Sequence, residues 1–238
     1  MPAESDATDM RTDEAMTTDE RRVALQVLES EYRTLMAALA AAWSASLTRM
    51  TIFLGVVSAA GVALGFAAQA DIDTSSFRTI ALLVLPLLMF MGGATFIRLV
   101  QIQREAVGYS LGMNRIRHFF QQAAPKARPY FVLTAHDDAA ALYSSVGTGM
   151  SRRPPRIRLL YLVVQTQGIV GVITAAVVGA FSALATATLG FPGWVTAAGA
   201  FVLTLVVLFA YWQRSIDQLL RSLRPINPTP PTEGAGPS

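Results

Sequence analysis

The chain has no cysteine, only two histidines and a single lysine. Without cysteine there can be no disulfide, no thiolate metal site and no cysteine nucleophile. The signatures GxxxxGK(S/T), GxGxxG and HExxH are all missing. Nothing therefore points to a phosphate-cradling loop, a dinucleotide fingerprint or a zinc protease helix. Charge is scarce as well: 15% of the residues are charged and 53% are hydrophobic, where a soluble domain carries about a quarter charged. Asp, Glu, Lys and Arg are absent altogether from Met50–Ala70, Thr79–Ile97 and Leu159–Gln213.

Those three gaps are what the chain is built around. Crossing the hydrocarbon core takes roughly 20 apolar residues, so the first two gaps each fit one span. The third is interrupted by Gly190-Phe191-Pro192-Gly193, a turn signal that splits it into two helices. The expected fold is an all-α membrane protein with four transmembrane helices. The acidic, then amphipathic N-terminus lacks the basic start and apolar run of a signal peptide, so the first apolar run is expected to stay as a span. The charge-free cores lack the groups that mark proton relays and voltage sensors. Pores lined by carbonyls, hydroxyls or hydrophobic gates stay open.

Basic residues flanking the spans set the orientation. Between spans one and two lie Asp71, Asp73 and the single Arg78. On the opposite face lie Arg49, Arg98, Arg104, Arg152, Arg153, Arg156, Arg158, Arg214, Arg221 and Arg224. Both termini and the segment from about 98 to 158 are thus expected in the cytoplasm. The dominance of Arg over Lys, with abundant alanine, suggests a GC-rich bacterial source and hence a bacterial inner (plasma) membrane. The net charge of +3 and pI near 9.6 follow from this flanking arginine, so nucleic acid is not an expected partner. Membrane lipids are. Arg152, Arg153, Arg156 and Arg158 can touch anionic headgroups, each worth about 1 kcal/mol near the surface.

Outside the spans, Thr17 and Glu20 form a capping-box pattern. Leu25, Leu28, Tyr32, Leu35 and Leu39 then recur at helical spacing. Beyond span two, Leu99, Ile102, Ala106, Tyr109, Met113, Ile116 and Phe120 keep a 3-4 alternation, with Gln101, Gln103, Arg104, Glu105, Asn114 and Arg117 on the polar face. Such seams pack lengthwise, so residues ~18–46 and ~98–123 are expected to pair as an antiparallel stalk of roughly 35–40 Å. Arg115 and Arg117 would then face Glu29 or Glu31, and His118 is read as a face residue. Ile216, Leu219, Leu220 and Leu223 extend span four up to Pro225. The resulting organisation is a disordered 1–16, an amphipathic helix at 17–47, a first hairpin at 48–99 and a stalk with a short helix at 100–158. A second hairpin at 159–213, an amphipathic continuation at 214–224 and a disordered tail at 225–238 complete it.

Several residues could carry more than architecture. Small residues allow close approach in lipid: Gly61 and Gly65, with Gly55 and Ala59, in span one, and Gly171, Ala175, Gly179 and Ala183 in span three. They are read as packing positions within the four-helix unit, with packing between subunits as the alternative. Gln165, Thr166 and Gln167 form the most polar intramembrane stretch, read as interfacial or helix–helix contacts, with a pore or ligand lining as the alternative. Pro86 removes a backbone hydrogen bond in span two and can kink it. In "ARPYFVLTAHDD", Pro129 favours an extended Arg128, and the aromatics are expected to pack on the stalk. Thr134 is then expected to cap a short helix with Asp137 and Asp138 in its first turn. A metal site at His136, Asp137 and Asp138 is the alternative. No cofactor is expected.

A cytoplasmic helix leading into a transmembrane hairpin and a long helical extension, over about residues 18–123, resembles the SLATT-type bacterial membrane effector modules. "GMNRIRHFF" and "PYFVLTAHDD" are similar to strings in uncharacterised four-span membrane proteins of GC-rich bacteria. The first resemblance implies a membrane effector or pore former; the second carries no functional residues over. The expected function is a non-enzymatic membrane interaction or effector protein, self-associating as a homo-oligomer, with an unidentified cytoplasmic protein as a further partner. An oligomeric channel lined by span three is the alternative, and a membrane enzyme using His136–Asp138 ranks below it.

Overall fold

The structure is a computed structural model and describes residues 17–70, 74–138, 165–189 and 192–222. All regular elements among them are helical: α1 (Thr18–Gln69), α2 (Thr74–Ala123), a 3-10 helix (Pro125–Tyr130), α3 (Thr166–Thr186) ending in a 3-10 turn (Ala187–Leu189), and α4 (Gly193–Ser222). Each of the four α-helices is long and apolar enough to cross a membrane, which fits a multi-pass membrane protein. Asp71, Asp73, the four arginines of 152–158, the linking residues Gly190 and Phe191, Leu223 and both end segments lie outside the described residues.

Helix α1 starts where its sequence provides a cap. The Thr17 side chain accepts from Glu20 N at 3.3 Å, and Thr17 N donates to Glu20 Oε2 at 2.8 Å. Two orphan donors are satisfied reciprocally, as a capping box requires. With no Gly or Pro between Thr18 and Gly55, α1 runs unbroken for 52 residues, roughly 80 Å at the helical rise. Helix α2 likewise continues through Pro86 over 50 residues. Pro86 is on an exposed side of the helix.

The contacts between α1 and α2 descend along α2 as they ascend along α1. Arg21 Nη2 donates to Gln122 O at 3.3 Å, Tyr32 meets Arg117 and Phe120, and Leu35 lies against Gly112. Phe53 clusters with Phe96, Leu99 and Val100, and Ala60 and Leu64 pack on the cluster of Ala81, Leu85, Leu88 and Val177.

Helix α2 is the centre of the molecule. It packs against α1, α3 and α4, and its buried positions run from Ala81 to Arg117. The seam residues Leu99, Ile102, Ala106, Met113 and Ile116 are buried as their spacing predicts. A neighbouring row is buried too, because α2 meets more than one partner: Val107 and Leu111 carry Leu219 and Leu220 of α4. Asn114 (0% exposed) and Arg117 (7%) are buried as well, against the returning segment and Tyr32 of α1. The sequence pattern assigns both to the polar face, and the structure corrects it.

The four apolar segments are covered unequally. About a third of the span window is buried within the chain in α3 (33%), against 6% in α1 and none in α4.

Candidate functional site

Two polar clusters stand out against the apolar packing. The first joins three helices at one end of the apolar region. Gln103 Oε1 of α2 accepts from Gln167 Nε2 at the start of α3 and, at 2.7 Å, from Trp212 Nε1 of α4. Gln167 is buried and also donates weakly to Gln165 Oε1 at 3.4 Å. A single amide oxygen thus receives donors from two other helices, which leaves neither polar group unsatisfied. Gln167 accordingly serves helix–helix bonding, while Gln165, the N-cap of α3, meets Gln167 alone among the described bonds, and Thr166 is the first residue of α3. The partners Gln103 and Trp212 are not signalled by sequence spacing, because each lies on a different helix.

At the opposite end of the same packed unit, Arg78 Nη2 donates to Leu184 O at 2.8 Å. The last carbonyls of a helix lack intrahelical partners and carry the negative end of its dipole, so a guanidinium is well placed there. This gives the solitary Arg78 a packing role.

The second cluster lies on the outer half of α2, where the chain returns after the 3-10 helix. Residues 125–130 were expected to lead into an extended strand held by aromatics. Arg128 is instead inside the 3-10 helix, since Pro125 opens it and Phe131 N bonds Arg128 O at 3.3 Å. Tyr130 is 84% exposed and Val132 97%, while Phe131 is half-buried and Ala135 buried, so the apolar side chains anchor the segment only in part. Polar groups complete the attachment. Asn114 Nδ2 donates to His136 O at 2.9 Å, and Arg115 Nε donates to Asp137 Oδ2 at 2.9 Å. Asp137 is fully buried, while Arg115 keeps 40% of its side chain exposed.

The expected cap is corrected in the same place. Thr134 Oγ1 does accept from His136 N at 3.1 Å, but residues 134–138 are not helical. The remainder of the expected short helix falls outside the described residues. Asp137 is therefore no first-turn carboxylate facing water; it is a buried anion held by Arg115. Arg115 and Arg117 do not take up Glu29, which pairs with Arg33 at 2.6 Å on its own helix.

The cluster continues inward. Arg117 Nη1 donates to Asn114 Oδ1 at 2.6 Å and Nη2 to Tyr32 Oη at 2.8 Å. The guanidinium carbon also sits 5.4 Å from the Tyr32 ring centroid, a cation–π distance. Tyr32, Asn114 and Arg117 were not singled out together by the sequence. The available signal was polar residues spaced at i and i+3 beside an apolar seam, and it looks the same as a solvated helix face. His136 Nδ1 is buried without a hydrogen-bond partner. Among the described residues no three His, Asp or Glu side chains converge as a metal site.

The glycine stripes divide sharply. A Cβ on Gly92 would collide with Thr174, on Gly171 would press Phe96 at 3.3 Å, and on Gly179 would meet the backbone oxygen of Ala197 at 2.9 Å. Around Gly55, Gly61 and Gly65 nothing lies within 4 Å of that position. Glu20, at the start of α1, is fully exposed. Its carboxyl sits below the ordinary value of 4.5 because it accepts from Thr17's backbone and hydroxyl. Comparison with protein-family models, curated proteins and solved structures finds no match to this chain.

Proposed function

We propose that this chain is a non-enzymatic, multi-pass membrane interaction protein of the effector type, which self-associates through the open glycine face of α1. Its termini lie on the cytoplasmic side of a bacterial inner membrane, as the arginine asymmetry indicates. The outer halves of α1 and α2 form an antiparallel cytoplasmic stalk, a reading supported by the descending order of their contacts.

The observation that carries self-association is the unfilled Gly55, Gly61 and Gly65 on a helix whose span window is 6% buried. Between helices in lipid the driving force is close packing, and small residues are what permit it. A pore lined by the polar side chains of α3 has less support, because Gln167 and Thr174 are already bonded, to Gln103 Oε1 and Val170 O. An enzyme at His136–Asp138 would need a free carboxylate, and Asp137 is paired with Arg115.

Native mass spectrometry from nanodiscs tests the proposal. The natural sequence is expected to give a defined oligomer and Gly61→Leu with Gly65→Leu to give monomer. An oligomer unchanged by both substitutions would remove the α1 interface.

A further inference from the structure

Between the outer halves of α1 and α2 lies a cavity of about 360 Å³, whose walls include Tyr32, Met36, Trp43, Met113, Asn114 and Arg117. Its size falls in the range of small-molecule sites, roughly 300–1,000 Å³. Two features make it more than a packing gap.

The first is the charge of Arg117. The residue is 7% exposed, and its partners, Asn114 Oδ1 and Tyr32 Oη, are both neutral. The ion pairs among the described residues use Arg22, Arg33, Arg98 and Arg115, so among those residues this buried guanidinium has no carboxylate counter-charge. Burying a charge without a counter-charge is costly. Arg117 also retains donors: Nε–H and one hydrogen on each Nη meet no acceptor among the described residues, and a guanidinium fork matches carboxylate and phosphate oxygens.

The second is the rim. Met36 is 52% exposed, Trp43 56% and Leu133 48%. None of them belongs to the charge-free span segments. Trp43 precedes Met50 by a helical distance of about 10 Å and Tyr32 by about 27 Å, so bilayer chains do not cover this rim. A cationic floor beneath an apolar, water-facing rim calls for a ligand with one anionic end and one apolar end.

We infer that this groove binds a water-borne amphiphilic anion, a carboxylate or phosphate head group bearing an alkyl or acyl chain. The head seats on Arg117 and the chain lies along Met36, Trp43 and Met113. The site is independent of the α1 glycine face and stands whether or not the chain self-associates.

Titration calorimetry of the full chain in zwitterionic nanodiscs, with empty nanodiscs subtracted, tests it. Octyl phosphate is the probe, and inorganic phosphate and octanol supply the head-only and tail-only arms. Octyl phosphate is expected to bind saturably at one site per chain, about tenfold or more tighter than either arm. Arg117→Gln should weaken it about tenfold, with Arg117→Lys intermediate. Because Arg117→Gln can disturb folding, Met36→Asp is the second variant. It sits on the exposed rim, outside the Arg117 bonds, and should weaken octyl phosphate by a similar factor through like-charge repulsion. Arg128→Gln, an exposed arginine elsewhere, should leave binding unchanged. Equal affinity for inorganic phosphate, equal affinity for octanol, or unchanged binding in Arg117→Gln and Met36→Asp would overturn the inference.

Discussion

Helices α1 and α3 carry the same kind of sequence signal, small residues at four-residue spacing, yet the fold treats them in opposite ways. Gly171 and Gly179 are filled by neighbours, Phe96 and Leu208 in one case and the Ala197 backbone with Phe201 in the other. Gly61 and Gly65 meet nothing. The difference comes from position in the bundle. Helix α3 sits against both α2 and α4, while α1 leans mainly on α2. A stripe of small residues therefore states that something comes close without stating what. Only the neighbours decide whether the contact closes inside the chain.

That contrast gives the sharpest test first. Gly179→Val places atoms against the backbone oxygen of Ala197, which no rotamer change can relieve, and overpacking of this kind costs about 3 kcal/mol. Thermal unfolding in nanodiscs should register a clear loss for this variant. A stability equal to that of the natural sequence would mean the α3–α4 contact is not as close as described.

The same distinction between filled and open positions extends beyond the spans, to the segment returning over α2. Arg115→Ala strips a partner from the fully buried Asp137, a loss of about 2 kcal/mol in the local anchoring of residues 131–138. Hydrogen exchange should rise there and not in α3. Val132→Ala, at a 97% exposed position, should leave exchange unchanged, although hydrophobicity alone would rank it the larger perturbation. Reversal of that order would mean that apolar side chains, and not the Arg115–Asp137 pair, hold this segment.

Gly61→Ala is the counterpart of Gly179→Val. With nothing within 4 Å of the added methyl, the stability of the isolated chain should stay within about 0.5 kcal/mol. Smaller still is the effect at the start of α1. The Glu20 carboxyl is held below its ordinary value of 4.5 by Thr17. A group with a lowered folded-state pKa stabilises above the unfolded value, and that contribution disappears as pH falls through the folded one. The first turn of α1 should therefore fray below about pH 4.5, seen as amide shifts at residues 18–21, and Glu20→Gln should abolish the pH dependence.

How much of this was legible beforehand follows from the same physics. Spans are written as missing charge, so four apolar helices could be read from three gaps. The Thr17–Glu20 cap was legible because its partners are three residues apart. Burial of Leu99, Ile102, Ala106, Met113 and Ile116 followed from a helical period. The burial of Asn114 and Arg117 did not, because it depends on Tyr32 and on the return of residues 134–137, and no local pattern encodes either. Asp137 was misread for a related reason. An acidic residue after a threonine signals a helix start, whereas a long-range arginine leaves no mark in its neighbourhood. Gln167 was recognised as a polar contact, but its partner Gln103 on α2, which also accepts from Trp212 of α4, could be found only in three dimensions.

The open face of α1 is the central claim, and a chain without cysteine allows it to be tested cleanly. Val62→Cys places one thiol beside Gly61 on a side chain that is 59% exposed, and Leu203→Cys places one on α4 at 64% exposure. Under copper-phenanthroline oxidation in native membranes, Val62→Cys is expected to form a disulfide-linked dimer and Leu203→Cys to remain monomeric. Equal cross-linking at both positions, or none at Val62→Cys, would contradict the account.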